Sequence, residues 1–170
     1  MFIGLQPDRI RLLPSFAMHR LVASWFGTGL ILGRFRGSDM GSGTVGALFA
    51  LPIALLIGQW WGWSAQIVAA VIVVGLSLWS ARPFSTDRGD PGWICVDEAA
   101  GAFICVIGLP VWPEAIVAWM VFRAADIFKD LAPGVAQAEK GLPGALGVTA
   151  DDVVAGLYGL AVGHILYAVT

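Results

Sequence analysis

The stretch "AAGAFICVIGLPVWPEAIVAWMVF" (99–122) decides the fold. It is long and apolar enough to cross a bilayer once. Its middle, however, holds Pro110, Pro113 and Glu114, and proline removes a helical hydrogen bond and clashes with the preceding turn. A single crossing would also put Asp97 and Arg123 on opposite faces, although basic residues flank both ends at short range. The stretch therefore reads as a helical hairpin turning at "GLPVWPEA" (108–115), with one kinked span as the alternative. Each half of about 11 residues is about 17 Å long, too short to span alone. The turn backbone then needs cover from neighbouring helices or water.

Three further apolar blocks surround it: "TVGALFALPIALLIGQWW" (44–61), "SAQIVAAVIVVGLSLW" (64–79) and "VVAGLYGLAVGHILYAV" (153–169). Together they predict helices over about 44–62, 64–81 and 153–169, beside the bent segment 99–122. Trp60, Trp61 and Trp63 fall between the first two, where an interfacial aromatic belt belongs. A buried aromatic cluster is the alternative. Ala155, Gly159 and Gly163 recur at four-residue spacing, and "AAGA" (99–102) offers a matching small face for close helix approach.

Composition agrees. The chain of 170 residues is 58% hydrophobic and 13% charged, against about 25% charged in soluble domains, and its mean hydropathy is +0.79. The fold class that follows is an all-α, multi-pass membrane helical bundle forming one domain over 1–170. The Lys and Arg residues lie before residue 21, at Arg34 and Arg36, at Arg82 and Arg88, and from Arg123 to Lys140. The positive-inside rule puts these connections in the cytoplasm and the tryptophan turn outside. A net charge of −2 without a basic cluster argues against nucleic acid. Acid and proline in "MFIGLQPDRIRLLPSF" (1–16) argue against a cleaved signal peptide. Cys95 and Cys105, in apolar context, read as buried small hydrophobes.

The few polar residues form three clusters: Asp97 with Glu98; Arg123, Asp126 and Lys129; and Asp151 with Asp152. The two acid pairs fall at expected helix N-termini, where one acid would serve as a cap; two are more than a cap needs. Arg123, Asp126 and Lys129, three apart, line up as a plus–minus–plus stripe. Converging carboxylates suit Mg²⁺, a hard cation preferring oxygen ligands. Arg123 and Lys129 suit a phosphate and the charge that develops in its transfer. With only His19 and His164 present, zinc has no ligand-spaced set. Two glycine runs, "FGTGL" (26–30) and "GSGTVG" (41–46), read as loops. One before a helix can cradle phosphate, although neither carries the GK[ST] of a Walker loop. No CxxxxxR follows either cysteine, and no DxDx[TV] occurs.

In this order, "FGTGL", "GSGTVGAL", "DPGWICVDEAAGAF", "FRAADIFK" and "GALGVTADDVVAG" resemble the bacterial phosphatidylglycerophosphatase A family over about residues 20–160. The resemblance implies a helical, Mg²⁺-dependent enzyme of the bacterial inner membrane. Its site would face the cytoplasm and remove the terminal phosphate of phosphatidylglycerophosphate. It implies metal binding by Asp97, Glu98, Asp126, Asp151 and Asp152, catalytic roles for Asp97, Glu98, Asp126 and Asp152, and phosphate binding by Arg123, Lys129, Thr44 and Gly43. Asp130 stands where the family has proline after the motif lysine, and Ser42 where it has proline before Gly-Thr. The nucleophile is left open between a water and an aspartate. The alternative function is a non-catalytic membrane protein that binds or moves a cation or an anionic lipid.

Overall fold

A computed structural model describes residues 14–85 and 91–170; Arg9, Arg11 and Arg88 of the charge pattern, and most of the 1–16 segment, lie outside them. Among the described residues the chain is helical and without strands. Helix α1 is Pro14–Ala23, α2 Ile31–Arg36, α3 Ser42–Ala81, α4 Val96–Cys105, α5 Ile116–Ile127, α6 Val135–Gly141 and α7 Ala145–Val169.

The first two apolar blocks form α3, whose helical geometry breaks at Gly62 (φ 82°, ψ 177°), a conformation open to glycine and little else. The arms 42–61 and 63–81 fold back on each other, because Gln66 Nε2 donates to the carbonyl of Ala54 at 3.1 Å. Each arm is about 30 Å long, the thickness of bilayer hydrocarbon. Trp60, Trp61 and Trp63, at the fold-back, are each about two-thirds exposed, which fits the belt and excludes the buried cluster.

The block 99–122 is indeed a hairpin. Helix α4 ends at Cys105, α5 begins at Ile116, and Gly108 between them is left-handed (φ +71°). The turn backbone finds its cover inside the protein. Gln66 Oε1 accepts from the Gly108 amide at 2.8 Å, and Gln66 Nε2 reaches the Val106 carbonyl at 3.3 Å. His164 Nε2 lies 2.9 Å from the Ile107 carbonyl and donates to it. Gln66 is fully buried and ties both α3 arms to the hairpin. Gln66→Leu is expected to lower stability by about 2 kcal/mol, read as a lower midpoint of thermal unfolding in detergent. An unchanged midpoint would deny the clamp its role.

Helix α7 packs between α4 and α5 through its small residues. A Cβ on Gly156 would press on the Gly101 backbone, one on Gly159 on Cys105, Ala118 and Phe122, and one on Gly163 on Leu109 and Ala118. The order of these contacts makes α7 parallel to α4 and antiparallel to α5. Both small faces expected from the sequence are used. Helix α7 begins at Ala145, however, earlier than the expected 153. Asp151 and Asp152 therefore lie two turns inside it and cap nothing, which corrects their placement at a helix N-terminus. The cause is the Asp151–Asp152 pair itself, which cuts the apolar "ALGVTA" (145–150) off from the block 153–169 in hydropathy while the helix runs on through it.

Helices α3 and α7 are long and apolar enough to cross a membrane, by length and composition, and only 33% and 28% of their most apolar windows are buried. A soluble core helix would be mostly buried. Here Leu48, Phe49, Ile53, Val68, Val71 and Ile165 face outward. The fold-back of α3 and the hairpin turn share one end. The starts of α3, α4 and α7 gather near the other, beside the end of α5. Helix α1 lies there too, with His19 stacked on Trp79 and Phe16 edge-on to Phe84.

Candidate active site

Three helices deliver the acids and Arg123 to that second end. Asp97 and Glu98 occupy the first turn of α4, as the sequence reading places them. Among the described residues no side chain caps this helix; Asp97 Oδ1 accepts from the Glu98 amide at 3.1 Å. Arg123 and Asp126 come from the last turns of α5, and Asp151 and Asp152 from α7. Asp97, Arg123, Asp126, Asp151 and Asp152 are all buried, and Glu98 half-buried. Single ligand atoms of Asp97, Glu98 and Asp152 lie within 4.8 Å of one another, and so do those of Asp126, Asp151 and Asp152.

The cations are held among these acids. Arg123 Nη1 pairs with Asp126 Oδ2 at 2.9 Å, and Arg123 Nη2 donates to Thr44 Oγ1 at 3.2 Å. Among the described residues its Nε has no partner. Lys129 pairs with Asp151, and with Glu139 at 3.3 Å. The expected stripe is thus only partly present. Helix α5 ends at Ile127 and Lys129 lies in a 3-10 turn, Lys129–Leu131, so the lysine leaves the α5 face and turns to α7. Glu139, on α6, is a partner the sequence reading missed. It stands across a turn from Lys129, at no spacing that marks it.

The second glycine run is not the loop expected. Ser42, Gly43 and Thr44 form the first turn of α3, behind left-handed Gly41 (φ 89°). A Cβ at Gly43 would collide with the Glu98 carboxylate, so this glycine admits Glu98 to the cluster. Thr44 reaches the cluster through Arg123. "FGTGL" (26–30) serves packing: it holds a 3-10 turn, and a Cβ at Gly29 would strike the Trp93 carbonyl and the Cys95 sulfur. Both cysteines are buried and free.

For Lys129, burial opposes the charge, but its bond to Asp151 outweighs this and its pKa is raised. A divalent cation bound by the folded cluster stabilises the folded state, so the protein is expected to melt at a higher temperature in Mg²⁺ than in EDTA. Melting curves in the two conditions check this, and an unchanged midpoint would contradict it.

An all-carboxylate donor set with the orphaned buried oxygens Glu98 Oε2 and Asp152 Oδ1 suits a hard divalent cation. Beside it stand an arginine and a lysine, the cations that neutralise phosphoryl oxygens. These are the parts of a phosphoryl-transfer enzyme, carried here on an apolar helical bundle. The comparisons narrow the class. The chain belongs to the phosphatidylglycerophosphatase A family, whose model matches residues 21–167. It is therefore a phosphoric monoester hydrolase that acts on a phospholipid, and the non-catalytic alternative falls away. It is also similar to a Bacteroides thetaiotaomicron protein named "Putative phosphatidylinositol-3-phosphatase", at 32% identity over 161 residues, covering 85% of this chain and 90% of that one. No solved structure gives a significant match.

Proposed function

We propose that this protein is a Mg²⁺-dependent lipid phosphatase of the bacterial inner membrane. It would hydrolyse phosphatidylglycerophosphate to phosphatidylglycerol and phosphate at the cytoplasmic face, as a step of phospholipid biosynthesis. The observation that supports this most is the convergence of Asp97, Glu98, Asp126, Asp151 and Asp152 with Arg123 and Lys129 at one end of an apolar bundle. At that end a headgroup in the interface can meet them while its acyl chains stay against the outward apolar faces.

The acids named would hold Mg²⁺, which supplies a Lewis acid to offset charge building on the phosphoryl oxygens. Arg123 is held in place by Asp126 and Thr44, and its unpartnered Nε is free to donate to a phosphate oxygen. Lys129, on the more open side, meets the incoming headgroup as a point charge. It must loosen from Asp151 or Glu139 to do so. Lys129→Met is therefore expected to raise KM about tenfold or more, with a smaller loss in kcat, since one charge-assisted hydrogen bond is worth about 1.5–3 kcal/mol. Steady-state kinetics on mixed micelles check this, and an unchanged KM would remove Lys129 from the headgroup site.

The test of the whole reading is phosphate release by the purified protein in detergent. The substrates are phosphatidylglycerophosphate, phosphatidic acid and phosphatidylinositol 3-phosphate, each with Mg²⁺ and with EDTA. Release from the first, lost in EDTA, is the expected result. Release only from phosphatidylinositol 3-phosphate would move the substrate toward the name borne by the Bacteroides relative. Release undiminished in EDTA would remove the metal.

A further inference from the structure

The two carboxylate triads share one member, Asp152. We infer that this end of the bundle binds two divalent cations, one at Asp97 and Glu98 and one at Asp126 and Asp151, with the Asp152 carboxylate common to both. The inference rests on the metal-dependent reading above and adds the number of ions and the role of one residue.

Charge carries it first. Ionised, the five carboxylates and Glu139, which shares Lys129, carry four more negative charges than Arg123 and Lys129 carry positive, in a largely buried cluster. One divalent ion leaves the cluster negative, and a phosphate monoester, itself close to doubly charged, would enter against that charge. Two ions bring the cluster to neutrality before the substrate arrives, so the only net charge afterwards is the substrate's own. Buried like charges this close do not persist uncompensated.

The second support is the state of the side chains. Among the described residues no Lys, Arg or His pairs with Asp97, Glu98 or Asp152, whereas Asp126 and Asp151 each hold one cation through a single oxygen, Oδ2. Asp152 is 3% exposed, and its Oδ1 is sealed from solvent without a hydrogen-bond partner. A buried, unpartnered carboxylate oxygen inside a carboxylate cluster asks for a cation. Asp152 has two oxygens and a triad on either side, and either triad alone would leave part of the cluster uncompensated.

The experiment is Mn²⁺ binding to the full chain in detergent micelles, followed by equilibrium dialysis and electron paramagnetic resonance. Two ions per chain with a spin-coupled spectrum are expected. Asp152→Asn should abolish the coupling, Asp97→Asn should leave one ion, and Asp126→Asn should leave one ion. The wild-type count and spectrum stand alone should a variant fail to fold. One ion per chain, or two without coupling, overturns the shared-carboxylate inference and leaves the phosphatase reading intact if activity still needs Mg²⁺. No bound ion, with activity in EDTA, overturns both.

Discussion

Asp152→Asn is expected to lower turnover by about three orders of magnitude, close to 4 kcal/mol of lost transition-state stabilisation, with the fold intact. The change keeps shape and volume and removes one negative charge from a buried cluster of like charges. The cation-free protein should therefore melt no lower than wild type. A capping or packing role predicts the reverse, with stability falling by about 1 kcal/mol and turnover surviving. Asp152 stands two turns inside α7, so the capping account has no geometry to draw on. Asp97→Asn should behave in the same way. Asp126→Asn should lose activity and also loosen Arg123, which Asp126 holds at 2.9 Å. Paired turnover and melting measurements decide. Asp152→Asn activity within about tenfold of wild type would remove this residue from the site.

Gly159→Val is expected to prevent the bundle from closing. Even the first added carbon would meet Cys105 Cβ at 2.9 Å and Phe122 Cβ at 3.0 Å and press on the Ala118 carbonyl. The obstacles are backbone and Cβ atoms of two different helices, which no rotamer change can move aside. Overpacking of this kind costs about 3 kcal/mol or more, and here it parts α7 from the helices that carry Asp97, Glu98, Arg123 and Asp126. Stability and divalent-cation binding should therefore be lost together. Gly75→Ala is the control. Nothing lies within 4 Å of its added carbon, and alanine favours a helix over glycine by about 1 kcal/mol. A Gly159→Val protein that melts like wild type would refute the close packing of α7.

The parts of this architecture written in hydropathy were legible in the sequence. Pro110 and Pro113 inside an apolar run specified the hairpin, and Trp60 to Trp63 specified the fold-back of α3. The acids and cations stood out because an apolar chain has few of them. Relations across space were not legible. Nothing in the spacing of Lys129 and Glu139 joins the turn after α5 to α6, and the start of α7 was hidden because Asp151 and Asp152 interrupt the apolar run without interrupting the helix. Gln66 stood in plain view as a polar residue in an apolar block, but its three partners come from two other segments. Gly43 was read for its backbone and turned out to matter for the side chain it lacks.

Among the described residues the chain runs to and fro an odd number of times: two arms of α3, then α4, α5 and α7. On the membrane reading, α1 and the acid cluster share one face, while Thr170, which donates to Glu114 Oε1 at 3.1 Å, emerges at the other with the tryptophans. On that reading the two ends of the bundle would sit in different compartments. A reporter joined after Thr170 should behave as a periplasmic protein and one joined ahead of α1 as a cytoplasmic one. The catalytic face can accordingly be tagged, labelled or shielded from one compartment while the enzyme is held from the other.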